Sequence, residues 1–428
     1  GLGTNDGSER PWRVRHPLQA FDARYFLGPD APGADARLFS YADLYRRMAE
    51  RDGEAVKPFY AGPGTAAATA AAPSTAATSA SATASGDAII PLREVLAYFK
   101  DPSKQVLRSR LRVGLDALED DRLADSEPLD ARFAAIDRIG RRLFLEAAQR
   151  PGMELPSTPP AWLRLTGVLP PGAPGHEAWQ TECESVGKLL EVAREHPLFA
   201  DGGLPPRSAL KLMQHVGAWQ VGGELTRVHA RGGDDGALWV VDVFPGKKNE
   251  GELGFRERIP AFIEWALLRL SLPHVRPVRL CLLSNKGDAP WQQAINDYDH
   301  LLNSLDAADA APLLEALSAR VAALLAFWAN AQDQPPWYLP KTSWKALEVL
   351  DKRASADTGE GGVDFDTAVT TTFRGGFSTG EVDYAPGYAR LLAGAEEFRD
   401  GTPSRAALEA TALELRALIT LDAAGVPA

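Results

Sequence analysis

The residues best placed to do chemistry lie between Gly223 and Lys248. Asp242 stands in the run VVDVF, Glu224 in GELTRV, and the basic pair Lys247-Lys248 follows closely. Two carboxylates that converge on one point hold a divalent cation, and a nearby lysine can orient or activate a water on it. That is the chemistry of metal-assisted hydrolysis, and it needs strands to aim the side chains. Glu224–Ala230 and Ala237–Phe244 both read as strands, and the Gly-rich stretch Arg231–Gly236 joins them into a β-hairpin. A helix is expected to start near Pro260, whose fixed φ suits a first turn, and to bury Phe262, Ile263, Ala266, Leu267 and Leu270. Val278–Leu283 reads as another strand, and helices follow over about 288–305 and 309–331. Hairpin, helix, strand and helix make an α/β arrangement.

The elements before this centre are helical. Leu92, Val95, Leu96 and Phe99, then Leu107, Leu111 and Leu115, then Phe133, Ile136, Ile139 and Leu143 all recur at three to four residues. WLRLTGVLPPGAPG, from Trp162 to Gly175, reads as a strand and a Pro/Gly loop. Ser40 followed by Asp43 resembles a capping box that opens a short helix with Leu44 and Met48 inward. Residues 62–86 are almost wholly Ala, Ser, Thr, Gly and Pro, offer no apolar face, and are expected to be a disordered loop. Beyond Lys341 the chain reads as loop-rich, with a last helix at about 404–420. The expected organisation is an N-terminal segment (1–61), the loop (62–86), an α/β domain (87–345) and a C-terminal extension (346–428).

Composition narrows the function. Of 428 residues 45% are hydrophobic, so a sizeable core can be buried, and ten tryptophans suit large contact surfaces. Cys183 and Cys281 are the only cysteines and sit in no CxxC pair, which argues against a zinc site or disulfide scaffold and suits a reducing cytoplasm. His176 and His274 are read as structural. No signal peptide and no apolar run of about 20 residues is read, so no membrane contact is expected. The sequence lacks an initiator Met and is expected to be a fragment. Net charge is −11, from 46 basic and 57 acidic side chains. A free-standing duplex binder is usually basic, so DNA is expected only in a channel shared with basic partners. Arg138, Arg141 and Arg142 share a helical face, read as salt-bridged. No phosphate loop, GxGxxG turn or GxSxG elbow is present.

The hairpin-then-helix order resembles the layout of PD-(D/E)xK nucleases. In that likeness the first metal ligand falls at Thr226, the second at Asp242, and the lysine at Phe244. One carboxylate of the set remains, so the resemblance implies a degenerate, restriction-endonuclease-like α/β core with additional helices and long loops, a vestigial site at Thr226, Asp242 and Phe244, and no metal. Glu224 and Lys247/Lys248 are the residues that could substitute. Lys247-Lys248 otherwise reads as a solvated turn; with Lys341 these are the candidates for DNA phosphate contact. Trp337, Tyr338 and Trp344 lie in a Pro-rich, loop-like stretch and are the interface candidates, the alternative being that they pack under their own loop.

An ordered set of motifs spans nearly the whole chain. HPLQAFDARYF (His16 to Phe26) and LFSY come first, then PLREVLAYFKDPSKQVLRSRLRVGL (Pro91 to Leu115) with Phe99, Pro102, Leu107, Arg110, Leu111 and Val113 at the matching positions. DSEPLD, TGVLPPGAPG, PPWYLPKTSW and GEVDYAPGYARLL follow in order. Together they resemble the C-terminal region of exodeoxyribonuclease V gamma subunits; the insertion at 62–86 departs from that pattern. The resemblance implies a non-catalytic subunit that handles and splits DNA ends in recombinational double-strand-break repair. Its partners would be the beta (RecB) and alpha (RecD) subunits and DNA as duplex and single strands. No cofactor is implied for this chain, with Mg and ATP used by the partner subunits. The competing readings are an active PD-(D/E)xK nuclease with a rearranged metal site and a protein-interaction scaffold.

Overall fold

Leu238–Val243 and Val278–Leu283 are apolar at nearly every position, and they lie side by side as parallel strands. Such strands need cover on both faces. The computed structural model describes residues 14, 16–18, 22–40, 46, 89–110, 133–150, 152–199, 203–230, 236–245, 253–272, 276–284, 290–333, 337–355, 364–376, 379–392 and 398–421. They fall in two units, Gly1–Pro58 and Phe59–Ala428. In the first, the 3-10 turn Ala23–Tyr25 is capped by Asp22, whose Oδ1 accepts from the Arg24 N–H at 3.0 Å. The second unit holds the sheet.

The strands are β1 (Ile89–Pro91), β2 (Arg207–Val216), β3 (Trp219–Ala230), β4 (Leu238–Val243) and β5 (Val278–Leu283). β2 runs antiparallel along one edge of β3. On the other edge β1, parallel, and β4, antiparallel, take opposite ends, and β5 lies beyond β4. The β2–β3 hairpin turns on Gly217-Ala218, with Gly217 at φ +57°. Around the sheet run α1 (Leu92–Lys100), α2 (Pro102–Arg110), α3 (Phe133–Ala148), α4 (Ala161–Leu165), α5 (Ala173–Glu195), α6 (Phe255–Ser271), α7 (Pro290–Ser304) and α8 (Ala307–Asp333). A helical lobe follows: α9 (Pro340–Ser355), α10 (Phe365–Arg374), α11 (Glu381–Tyr384), α12 (Gly387–Leu391) and α13 (Pro403–Ile419).

Side chains alternate across a strand, and here the alternation divides two cores. Leu238, Val240, Leu280 and Leu282 face the first, with Val95 and Phe99 of α1, Phe262 and Trp265 of α6, Leu324 of α8 and Leu415 of α13. Trp239, Val241, Val243, Cys281 and Leu283 face the second, with Phe144 of α3 and Trp179 and Leu189 of α5. α6 is buried on every side from Ile259 to Arg269, as a helix between sheet and outer helices must be. α1 crosses β3 closely because Gly223 has no side chain; a Cβ there would stand 2.8 Å from the Leu92 Cβ. Gln292, Asn296 and Asp299, on one face of α7, hydrogen-bond the outer edge of β5.

Several expectations are corrected. Trp162–Gly175 forms no strand: α4 occupies Ala161–Leu165 after Pro159-Pro160, only Leu163 of it is buried, and α5 begins at Ala173. α6 begins at Phe255 rather than near Pro260, because Glu257 Oε2 accepts from the Gly254 N–H at 3.0 Å and caps the helix one turn earlier. The stretch beyond Lys341 is mostly helical, around a third core of Trp337, Phe365, Val369, Tyr388, Phe398 and Leu408. Among the described residues α8 is long and apolar enough, over Ala307–Ala331, to cross a membrane, where the sequence reading saw no such run. One face of it packs on the first core, with Leu317, Val321, Leu324 and Leu325 inward, and most of its other positions are half-buried or exposed. Asp43 of the expected capping box, Leu44 and Met48 of its helix, Leu111, Leu115 and the 62–86 loop lie outside the described residues.

Candidate functional site

A bulge in β3 builds the site. Val228 pairs with Ser208 and Leu225 with Leu210, so β3 carries one residue more than β2 at Thr226-Arg227. The extra residue breaks the alternation, so Leu225 and Val228 both face the first core, and Arg227 is re-aimed at Asp242. One guanidinium nitrogen of Arg227 donates to Asp242 Oδ2, and the other pairs with Glu264 Oε2 of α6. Arg141 of α3 donates to Asp242 Oδ1 at 2.7 Å, and the Val243 N–H donates to the same oxygen at 2.9 Å. The Asp242, Arg227 and Glu264 side chains are 13%, 15% and 5% exposed. Both oxygens of Asp242 are therefore taken by donors on this chain.

The two carboxylates are driven in opposite directions. Burial alone would raise the Asp242 pKa, but Arg227, Arg141 and Lys100 outweigh it and hold the carboxyl below its ordinary value. Burial also raises Glu264; Arg227 opposes it, Asp242 adds to it, and the carboxyl ends above its ordinary value. For Arg227 burial is offset by Asp242 and Glu264, which hold the charged form.

Of the residues expected from sequence, Asp242 lies at the centre of this cluster. Phe244 is buried, with the Arg141 guanidinium 4.5 Å above its ring. Thr226 is exposed on the bulge, and Glu224, also exposed, pairs in register with Lys211. Lys247 and Lys248 lie outside the described residues. Lys341 donates to the Thr379 carbonyl and sits 5.2 Å over the Tyr384 ring. Arg142 pairs with Glu146 at 2.8 Å on its own helix. Trp337 and Tyr338 are 6% and 1% exposed. Trp337 packs on Phe398, and Tyr338 packs among Phe99, Phe255 and Phe327, so neither ring stands at a surface where a partner could seat on it. Trp344 is half-buried, edge-on to Phe255 and under the Arg258 guanidinium.

Arg227 and Glu264 are the members that sequence reasoning missed. Glu264 stands inside IEWALL, an otherwise apolar run, and a carboxylate buried there needs a cation. That requirement was the available signal. A Mg²⁺ ion, by contrast, does not fit these residues, since it needs open carboxylate oxygens at about 2.1 Å. Among the described residues no three His, Cys, Asp or Glu side chains converge as a metal-binding group.

A family model described as the RecC C-terminal domain matches residues 87–351. The chain belongs to the RecC C-terminal domain family. A comparison with curated proteins returns no match. The matched RecC segment takes in all five strands, α1 to α8 and most of α9, and hence every member of the Arg227 cluster.

Proposed function

We propose that this chain is a non-catalytic, DNA-handling part of exodeoxyribonuclease V, built on a degenerate PD-(D/E)xK scaffold. The observation that carries the reading is the state of Asp242. It is the carboxylate where a nuclease of that layout holds its metal, and here Arg227 and Arg141 occupy both its oxygens. Phe244, buried under Arg141, stands where the lysine is required. The β3–β4 hairpin followed by α6 and β5 supports the scaffold assignment. Mg²⁺-dependent cutting and ATP hydrolysis then belong to the partner subunits, RecB and RecD, in the cytoplasm. The net charge of −11 fits a chain that meets DNA within a shared channel rather than alone.

The test has two arms. The purified chain is incubated with linear duplex and single-stranded DNA in Mg²⁺ or Mn²⁺, and no products are expected. It is then mixed with the beta subunit and passed over a sizing column, where co-elution is expected. Cleavage that disappears on Asp242→Ala, or separate elution of the two proteins, overturns the proposal.

A further inference from the structure

We infer that Arg227 is the resident cation of this domain: its guanidinium takes the place of a divalent metal between Asp242 and Glu264 and makes the fold indifferent to metal ions. The inference rests on the degenerate-scaffold reading and goes beyond it, because loss of a ligand and a lysine requires no substitute at the metal position.

Three observations carry it. Asp242 comes from β4 and Glu264 from α6, yet they meet the two terminal nitrogens of one guanidinium. Two carboxylates cannot both be buried and charged so close together without a cation to hold them. The cation also arrives by a dedicated device, the β3 bulge at Thr226-Arg227, since regular pairing would not turn Leu225, Arg227 and Val228 to one side. Finally, Arg141 closes the remaining oxygen of Asp242 while stacking on Phe244, so no carboxylate oxygen of Asp242 is left to solution. A guanidinium cannot lose its proton in a protein and cannot be chelated away. Where a metal would bind and leave, Arg227 is permanent.

The corollary is that removing the guanidinium while keeping both carboxylates uncovers a cation site. Two carboxylates with waters completing the shell suffice for Mg²⁺ or Mn²⁺. The full chain and Arg227→Ala are compared by thermal unfolding in EDTA and in millimolar Mn²⁺, and by Mn²⁺ binding followed by electron paramagnetic resonance. The wild type is expected to show the same Tm in both buffers and no Mn²⁺ bound at this site. Arg227→Ala is expected to bind one Mn²⁺ per chain and to gain at least about 2 °C in Tm from it. Adding Asp242→Asn to that variant is expected to abolish both effects. If Arg227→Ala is recovered only unfolded, refolding in Mn²⁺ and in EDTA replaces the comparison, and recovery in Mn²⁺ alone is the expected result. Mn²⁺ bound by the wild type and lost on Asp242→Asn overturns the inference, as does a variant that ignores Mn²⁺ in stability, binding and refolding. Since DNA cleavage is not the readout, either outcome here leaves the functional proposal to its own test.

Discussion

Asn296 meets Leu280 as a neighbouring strand would. Its Oδ1 accepts the Leu280 N–H at 2.8 Å, and its Nδ2 donates to the Leu280 carbonyl at 3.0 Å. Gln292 and Asp299, on the same face of α7, accept the Leu282 and Val278 N–H groups. A helix thus seals the edge of β5, where open backbone groups invite pairing with other chains. Asn296→Ala leaves a buried donor and a buried acceptor unpaired, at about 1–3 kcal/mol each. Urea unfolding should report a loss in that range or somewhat above it, and an unchanged midpoint would refute the assignment.

The Asp242 ion pairs should make stability depend on pH in a defined direction. Its folded pKa lies below the ordinary 3.8. Its contribution is therefore complete above 3.8 and fades as pH falls toward the folded value. Asp242→Asn takes the carboxylate away from Arg227 and Arg141, and removing one partner of a buried pair costs roughly 3–5 kcal/mol. Denaturant titrations over a pH series should find that deficit constant at neutral and mildly acid pH and shrinking below about 3.8. A deficit that grows on acidification would contradict the sign.

Glu381 ties the helical lobe together. Its Oε1 accepts from the Lys341 N–H at 3.0 Å and its Oε2 from the Thr342 N–H at 2.8 Å, which places a carboxylate on the first turn of α9. Burial raises its pKa although both donors pull it down. Charge-assisted bonds of this kind are worth about 1.5–3 kcal/mol each. Glu381→Ala is expected to lower the unfolding free energy by at least that of one such bond, with Glu381→Gln milder. Equal stability of wild type and Glu381→Ala would remove the clip from the account.

Trp337 and Tyr338 are expected to matter for folding and not for docking. Trp337→Ala empties a buried indole site, at about 3–5 kcal/mol. Tyr338→Phe removes the hydroxyl that donates to the Phe99 carbonyl at 2.9 Å, at about 1–3 kcal/mol. Affinity of the folded fraction for the beta subunit should not change in either variant. Weaker binding with stability intact would return these rings to the interface.

The parts of the fold that were legible in sequence are those in which burial leaves a pattern. β4 and β5 are short apolar runs, the β3–β4 hairpin has its Gly-rich joint, and α13 keeps its period from Pro403 to Ile419. β2 was missed because its residue types hide the alternation that its burial shows, with polar Ser208 and Gln214 at inward positions and apolar Met213 exposed, and because Gly217-Ala218 is a weak hairpin signal. Of the site, Asp242 was found and its role was not. Its partners come from α3 and the β3 bulge, with Glu264 of α6 joined to it only through Arg227, and a bulge is a property of how two strands pair, not of either strand's composition.

Tyr388 donates to the Tyr338 carbonyl, and Tyr338 in turn to Phe99 of α1. Trp291 of α7 donates to the Ile419 carbonyl, and Ala412, Leu415 and Ile419 of α13 fill the core beneath the sheet. All of these donors and methyl groups serve the α/β body, yet Tyr388 and α13 lie past residue 351, where the RecC match ends. Cutting the chain there would strip one wall from the first core and unfasten α1. The stretch that must pack together is thus longer than the stretch the family model matches: the match ends inside α9, and the packing runs on to Leu421.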